Sequence, residues 1–175
     1  MVYRKLSSKM IYQGKVFNVR RDQVELPNSQ RIGLDIVEHR GAVILVPMDA
    51  QEHIWFVRQY RHPVEQILLE LPAGIMEESE LPEDCALREV REEIGMAAGR
   101  IQKLGEFFLA PGYSSEYMYV FLARDLTPDP LVRDEDEFIE VEQIPLEQVL
   151  QMVRVGQIRD AKTLAALFLL NSLAH

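Results

Sequence analysis

The segment Pro82 to Gly95 constrains the fold more than any other, because it has the features of one helix with a single narrow apolar stripe. Ala86, Val90 and Ile94 recur every fourth residue with Leu87 beside them, so they stack along one side. Pro82 suits a first helical position, where its missing N–H is not needed. Gly95 stands where a glycine closes a helix in the left-handed conformation. A stripe this narrow must be buried against other elements. Ala42–Pro47 and Ile54–Gln59 are continuous apolar runs separated by the polar Asp49–His53, a pattern that predicts buried neighbouring strands.

Around that centre the chain alternates between short β-like runs and helices. Val16–Val19, Gln23–Leu26 and Ile32–Val37 read as strands of a hairpin or small sheet, with Pro27-Asn28 at a turn. Leu68–Ala73 leads into Gly74. Further strands are expected at Ile101–Leu109, Glu116–Leu122 and Phe138–Gln143, and helices at Leu146–Val155 and Ala161–Leu173 with Gly156 between them. This pattern predicts a mixed α/β domain over residues 41–175, with an N-terminal β appendage over residues 1–40. No leader, bilayer-length apolar run or cysteine pair is apparent, and Cys85 reads as a buried thiol. The expectation is a cytoplasmic protein with no membrane partner.

Charge narrows the function. The net charge is -9, which disfavours nucleic acid as a partner. The excess is concentrated in two places: Gly74–Met96 carries -6 and Arg133–Glu142 carries -5, leaving the remainder slightly positive. In the first stretch, Glu89 and Glu93 lie four apart and point the same way. Like charges at that spacing repel by a few tenths of a kcal/mol, roughly, unless a cation neutralises them. Arg88 stands one turn before Glu92 and is expected to pair with it. Glu89 and Glu93 remain as a site for a hard divalent cation, or else as part of a solvated charged face.

The spacing of the whole stretch is more specific than that pair. Gly74, Glu80, Arg88-Glu89-Val90, Glu92-Glu93 and Gly95-Met96 fill every fixed position of a signature that spans 23 residues. On it the chain resembles the Nudix hydrolases, whose reaction is divalent-cation-dependent cleavage of a nucleoside diphosphate linked to another group. The resemblance implies an α/β/α sandwich with a mixed sheet, and a site in which Glu89, Glu93 and the carbonyl of Ala73 hold Mg2+, with Mn2+ as an alternative. It makes Glu92 an additional ligand or support and Glu80 a brace for the loop, with Gly74, Arg88 and Gly95 in structural roles. Gly74 is expected to let the chain bend sharply beside Ala73.

Three flanking features are similar to the ADP-ribose pyrophosphatase subfamily. Pro111 lies 15 residues beyond Met96, in Leu109-Ala110-Pro111-Gly112-Tyr113. Tyr113 also stands near where dinucleoside polyphosphate hydrolases place a tyrosine. Val57-Arg58-Gln59-Tyr60-Arg61 followed by Glu70-Leu71-Pro72-Ala73-Gly74 matches the subfamily's approach segment. It makes Arg58 and Arg61 candidate phosphate contacts, or else surface charges, and gives Glu70 an arginine or a ribose hydroxyl to hold. Asp134-Glu135-Asp136-Glu137 falls where the subfamily carries a glutamate-bearing loop, so Glu137 and Glu135 are the candidate bases. An EF-hand is excluded there because its glycine is missing.

The N-terminal segment resembles the swapped domain through which these enzymes form homodimers, with adenine bound between subunits. Arg20, Arg21 and Arg31 are candidate lining there. The expected reaction is hydrolysis of ADP-ribose to AMP and ribose 5-phosphate. The competing readings are the same chemistry on a GDP-sugar or a dinucleoside polyphosphate, and a non-catalytic domain that senses a nucleotide or binds a protein.

Overall fold

The computed structural model describes residues 2–132 and 138–172, so Glu135 and Glu137 lie outside the described residues. Among these, ten strands and three α-helices follow in chain order: β1 Arg4–Gln13, β2 Phe17–Glu25, β3 Arg31–His39, β4 Ala42–Pro47, β5 His53–Arg61, β6 Gln66–Glu70, β7 Ala73–Ile75, α1 Pro82–Ile94, β8 Met96–Phe108, β9 Tyr117–Pro128, β10 Ile139–Pro145, α2 Leu146–Arg154 and α3 Ala161–Ser172. They belong to two compact units, Met1–Gly41 with Phe107–Tyr117, and Ala42–Glu106 with Met118–His175. No described helix is long and apolar enough to cross a membrane.

The first unit is an antiparallel sheet in the order β1-β2-β3. Segment 107–117 is tied to it through Val37, whose N–H donates to Tyr113 O at 2.8 Å and whose carbonyl accepts from Ser115 N at 3.0 Å. Two expectations are corrected here. Val16–Val19 and Gln23–Leu26 belong to one strand, β2, and β1 has no counterpart in the apolar pattern. The polar break between those runs is not a turn: Asp22 is buried and accepts Ser8 Oγ from the facing strand at 2.6 Å. β1 shows no alternation because all its residues are exposed and its register slips between Lys5 and Ser7 and between Met10 and Tyr12.

The second unit holds two sheets. One is mixed, in the order β7-β4-β9-β8, with β4 parallel to β9 and antiparallel to β7. The other is antiparallel, in the order β10-β5-β6. β4 and β5 are buried runs, as expected, yet they are not ladder neighbours. They lie in different sheets, linked by a turn and a single bridge, Met48–Ile54. Each takes its partners from distant chain, which nearness in sequence cannot reveal. The expected run Leu68–Ala73 likewise splits into β6 and β7. The chain leaves one sheet for the other at Leu71-Pro72, where Pro72 O accepts from Leu45 N at 2.9 Å.

α1 packs against strands of both sheets. Its Cys85, Ala86, Val90 and Ile94 share one core cluster with Val43, Leu45 and Phe121 of the mixed sheet and with Val57 and Ile139 of the other. Side chains alternate along a strand, so Ile44 and Val46, both fully buried, point from the opposite face of β4. There α3 packs on the same strand, burying Thr163, Ala166 and Leu167. The result is the α/β/α arrangement expected from the sequence. Leu87 departs from its assigned place, because it is 37% exposed. The buried side of α1 is completed instead by Glu89 and Glu93.

Candidate active site

Two carboxylates on the buried side of a helix need partners, because an unpaired buried charge is strongly disfavoured. Glu89 is 8% exposed and Glu93 4%. Arg88 Nη1 donates to Glu89 at 2.6 Å and to Glu92 at 2.8 Å. The other edge of the same guanidinium grips both oxygens of Glu80, each at 2.9 Å. Arg88 is therefore the hub for three carboxylates, and the expected division that gave it Glu92 alone is corrected. Glu80 is also tied to the loop that precedes α1. It accepts Glu77 N at 2.8 Å, and the hydrogen bonds from Arg88 hold its carboxyl down to about 2. Burial pushes the Cys85 thiol up, which keeps it protonated on the buried side of α1.

β7 faces these carboxylates with its backbone. Ala73 N donates to Glu93 Oε2 at 3.0 Å. A Cβ on Gly74 would stand 1.9 Å from both Cδ and Oε1 of Glu89. Gly74 has no positive φ, so the sharp-bend explanation is replaced by a steric one: the missing side chain is the room that Glu89 occupies. Gly95 does act conformationally. Its φ is 71°, and its N–H closes the helix on Val90 O.

A second charged cluster lies in the same unit. Arg61 forks onto Glu70, Nε to Oε1 at 2.9 Å and Nη2 to Oε2 at 2.7 Å. Glu70 is 1% exposed and also accepts from Lys162 Nζ, which in turn pairs with Asp160 at 2.9 Å. Burial alone would raise the Glu70 carboxyl, but Arg61 and Lys162 outweigh it and hold it below its usual range. The bonds to Glu70 raise Arg61, and Glu93 adds to that rise, so the two clusters share one field. Arg58 is engaged elsewhere, by Glu142 across the β5–β10 ladder at 2.6 Å.

Of the remaining candidates, Pro111 belongs to the other unit. It is exposed in a turn closed by Tyr113 N and Ser114 N on Ala110 O, at 3.1 and 2.9 Å. Sequence reasoning missed Asp160, Lys162 and Thr163. Asp160 caps α3, its Oδ2 accepting Thr163 N at 3.0 Å, and an aspartate opening a helix was a readable signal for that cap. No local signal pairs Lys162 with Glu70, which lies far away in the chain.

The donors around Glu89 and Glu93 suit a hard cation, since they are carboxylate oxygens beside the backbone of a half-buried strand. The glycine-made cradle at Gly74 gives the Glu89 carboxylate its space. Among the described residues no group of three His, Cys, Asp or Glu side chains is already arranged as a ligand set. Instead Glu89 rests on Arg88, and Glu93 on Ala73 N.

Residues 38–167 match the NUDIX domain, and residues 3–33 match the nucleoside diphosphate sugar hydrolase N-terminal domain. The chain belongs to the Nudix family, and it is a hydrolase of that family. More particularly, it is 38% identical to the ADP-ribose pyrophosphatase of Bacillus subtilis (strain 168), over 93% of this chain and 89% of that protein. The methanol dehydrogenase activator of Bacillus methanolicus is 35% identical, over 92% and 88%. The GDP-mannose pyrophosphatase of Yersinia pestis (strain Pestoides F) is 36% identical, over 73% and 68%. A crystal structure of an ADP compounds hydrolase superposes with a TM-score of 0.90 at 26% identity, covering 99% of this chain and 94% of that one.

Proposed function

We propose that this protein hydrolyses the diphosphate of ADP-ribose, or of a related ADP-sugar, to AMP and ribose 5-phosphate in the cytoplasm, with Mg2+ as its cofactor and Mn2+ as a substitute. The observation that carries this reading is the pair of buried carboxylates, Glu89 and Glu93, facing the backbone of Ala73 and Gly74. Glu89, Glu93 and the Ala73 carbonyl would hold the cation, with Glu92 as support. Bound there, a divalent cation neutralises diphosphate oxygens and lowers the pKa of water. Glu80 and Arg88 keep the acidic side chains aimed, and Gly95 ends the helix that carries them. Arg61, steadied by Glu70, offers a planar donor to a phosphate oxygen, with Arg58 as a further substrate contact. Glu137 or Glu135 takes the proton from the attacking water.

The working assembly in this reading is a homodimer. β1 exposes Leu6, Met10, Ile11 and Tyr12 along an edge strand, and a second copy is the partner that would cover them. Sedimentation analysis is expected to give twice the chain mass, and a monomer at all concentrations would contradict this. GDP-mannose is the second reading, favoured by the Yersinia relative. A panel of nucleoside diphosphate derivatives assayed with Mg2+ separates the readings. ADP-ribose is expected to be cleaved with the highest kcat/KM. A higher kcat/KM for GDP-mannose would shift the assignment, and turnover of no member would indicate a binding domain.

A further inference from the structure

The Glu70 carboxylate is deeply buried, so its orientation depends on the cations around it. Arg61 uses one edge of its guanidinium there, through Nε and Nη2. Among the described residues its Nη1 makes no hydrogen bond, and the side chain is 38% exposed. The free edge therefore remains for an anion, while the bound edge fixes its direction.

Lys162 is what the sequence reading left out. Its ammonium sits on Glu70 Oε2, the same oxygen that accepts Arg61 Nη2. It is itself held by Asp160, the residue that caps the first turn of α3. That turn is anchored again one residue on, where Thr163 Oγ1 accepts from Leu71 N at 2.9 Å. Two adjacent residues of the approach segment, Glu70 and Leu71, are thus clamped just ahead of Ala73 and Gly74.

We propose that Lys162 is a positioning residue for substrate: it fixes Glu70, and through Glu70 it holds the free edge of Arg61 toward the diphosphate. This rests on the hydrolase reading above. Lys162 donates to Glu70 and pairs with Asp160, so its loss acts on substrate affinity more than on the chemical step.

The test is steady-state hydrolysis of ADP-ribose with Mg2+ by the full chain. Lys162→Met is expected to raise KM about tenfold while kcat stays within about threefold. Lys162→Arg, which keeps the cation, is expected to restore most of the affinity. In an Arg61→Ala background, Lys162→Met is expected to change KM no further, because both act through one guanidinium. An unchanged KM with a lowered melting temperature would make Lys162 purely structural and overturn the proposal. Multiplying effects in the double variant would overturn it too. Should Lys162→Met fail to fold, Asp160→Asn keeps a helix cap while removing the charge that holds Lys162. A KM about threefold higher is then expected, and an unchanged one contradicts the proposal. Wild-type protein that turns over no ADP-ribose overturns the underlying reading and this inference together. Turnover with a KM insensitive to Lys162 overturns the inference alone.

Discussion

A methyl group on Gly74 would land in the Glu89 carboxylate, so Gly74→Ala has to push Glu89 away from Arg88. Overpacking of this kind costs about 1–3 kcal/mol, and here it also displaces a proposed ligand. Urea unfolding and Mg2+-dependent turnover, measured together, are expected to show both losses. Glu80 makes a different prediction at the same scale. Its folded carboxyl is held down to about 2 against an ordinary value of 4.5. The stability it adds is therefore present above 4.5 and lost as pH falls toward about 2. Melting temperatures of wild type and Glu80→Gln are expected to differ near neutral pH and to converge across that window. A gap that stays constant down to pH 2 would contradict the Arg88–Glu80 account.

At the scale of elements, α1 combines two roles on adjoining strips of one surface. Ala86, Val90 and Ile94 anchor it to both sheets, while Glu89 and Glu93 stand beside them under the β7 backbone. Val90→Ala removes two buried methyl groups between the sheets and is expected to cost about 2 kcal/mol in urea unfolding, with the metal requirement of turnover unchanged. A loss under 0.5 kcal/mol would show that the helix is not held by this stripe. α1 was legible from the sequence because its proline, stripe and glycine are all local signals. The strands were less so. β1 carries no apolar alternation, and the β6–β7 switch turns on Pro72, which reads equally well inside one extended run.

At the scale of the whole molecule, a protein of net charge -9 binding an anion is a contradiction unless a cation intervenes. The acids of Gly74–Met96 show how it is resolved. Arg88 neutralises part of the cluster from within, and a divalent cation would neutralise more. Charge arithmetic and signature spacing led to Glu89, Glu93, Glu80 and Arg88 because these lie within one short segment. Lys162 stayed hidden because its partner is brought to it only when α3 folds back on the sheet. Substrate affinity is accordingly expected to fall at least tenfold when EDTA removes divalent cations.

The central claim is that Glu89 and Glu93 hold the cation on which diphosphate cleavage depends. Titrating Mg2+ into wild type and Glu93→Gln while following AMP release from ADP-ribose tests it most directly. The account predicts that wild-type turnover rises from the EDTA baseline to saturation. It also predicts that Glu93→Gln, with an unchanged circular dichroism spectrum, loses about 100-fold or more at every concentration. Undiminished turnover in that variant, or wild-type turnover that EDTA leaves untouched, would contradict it.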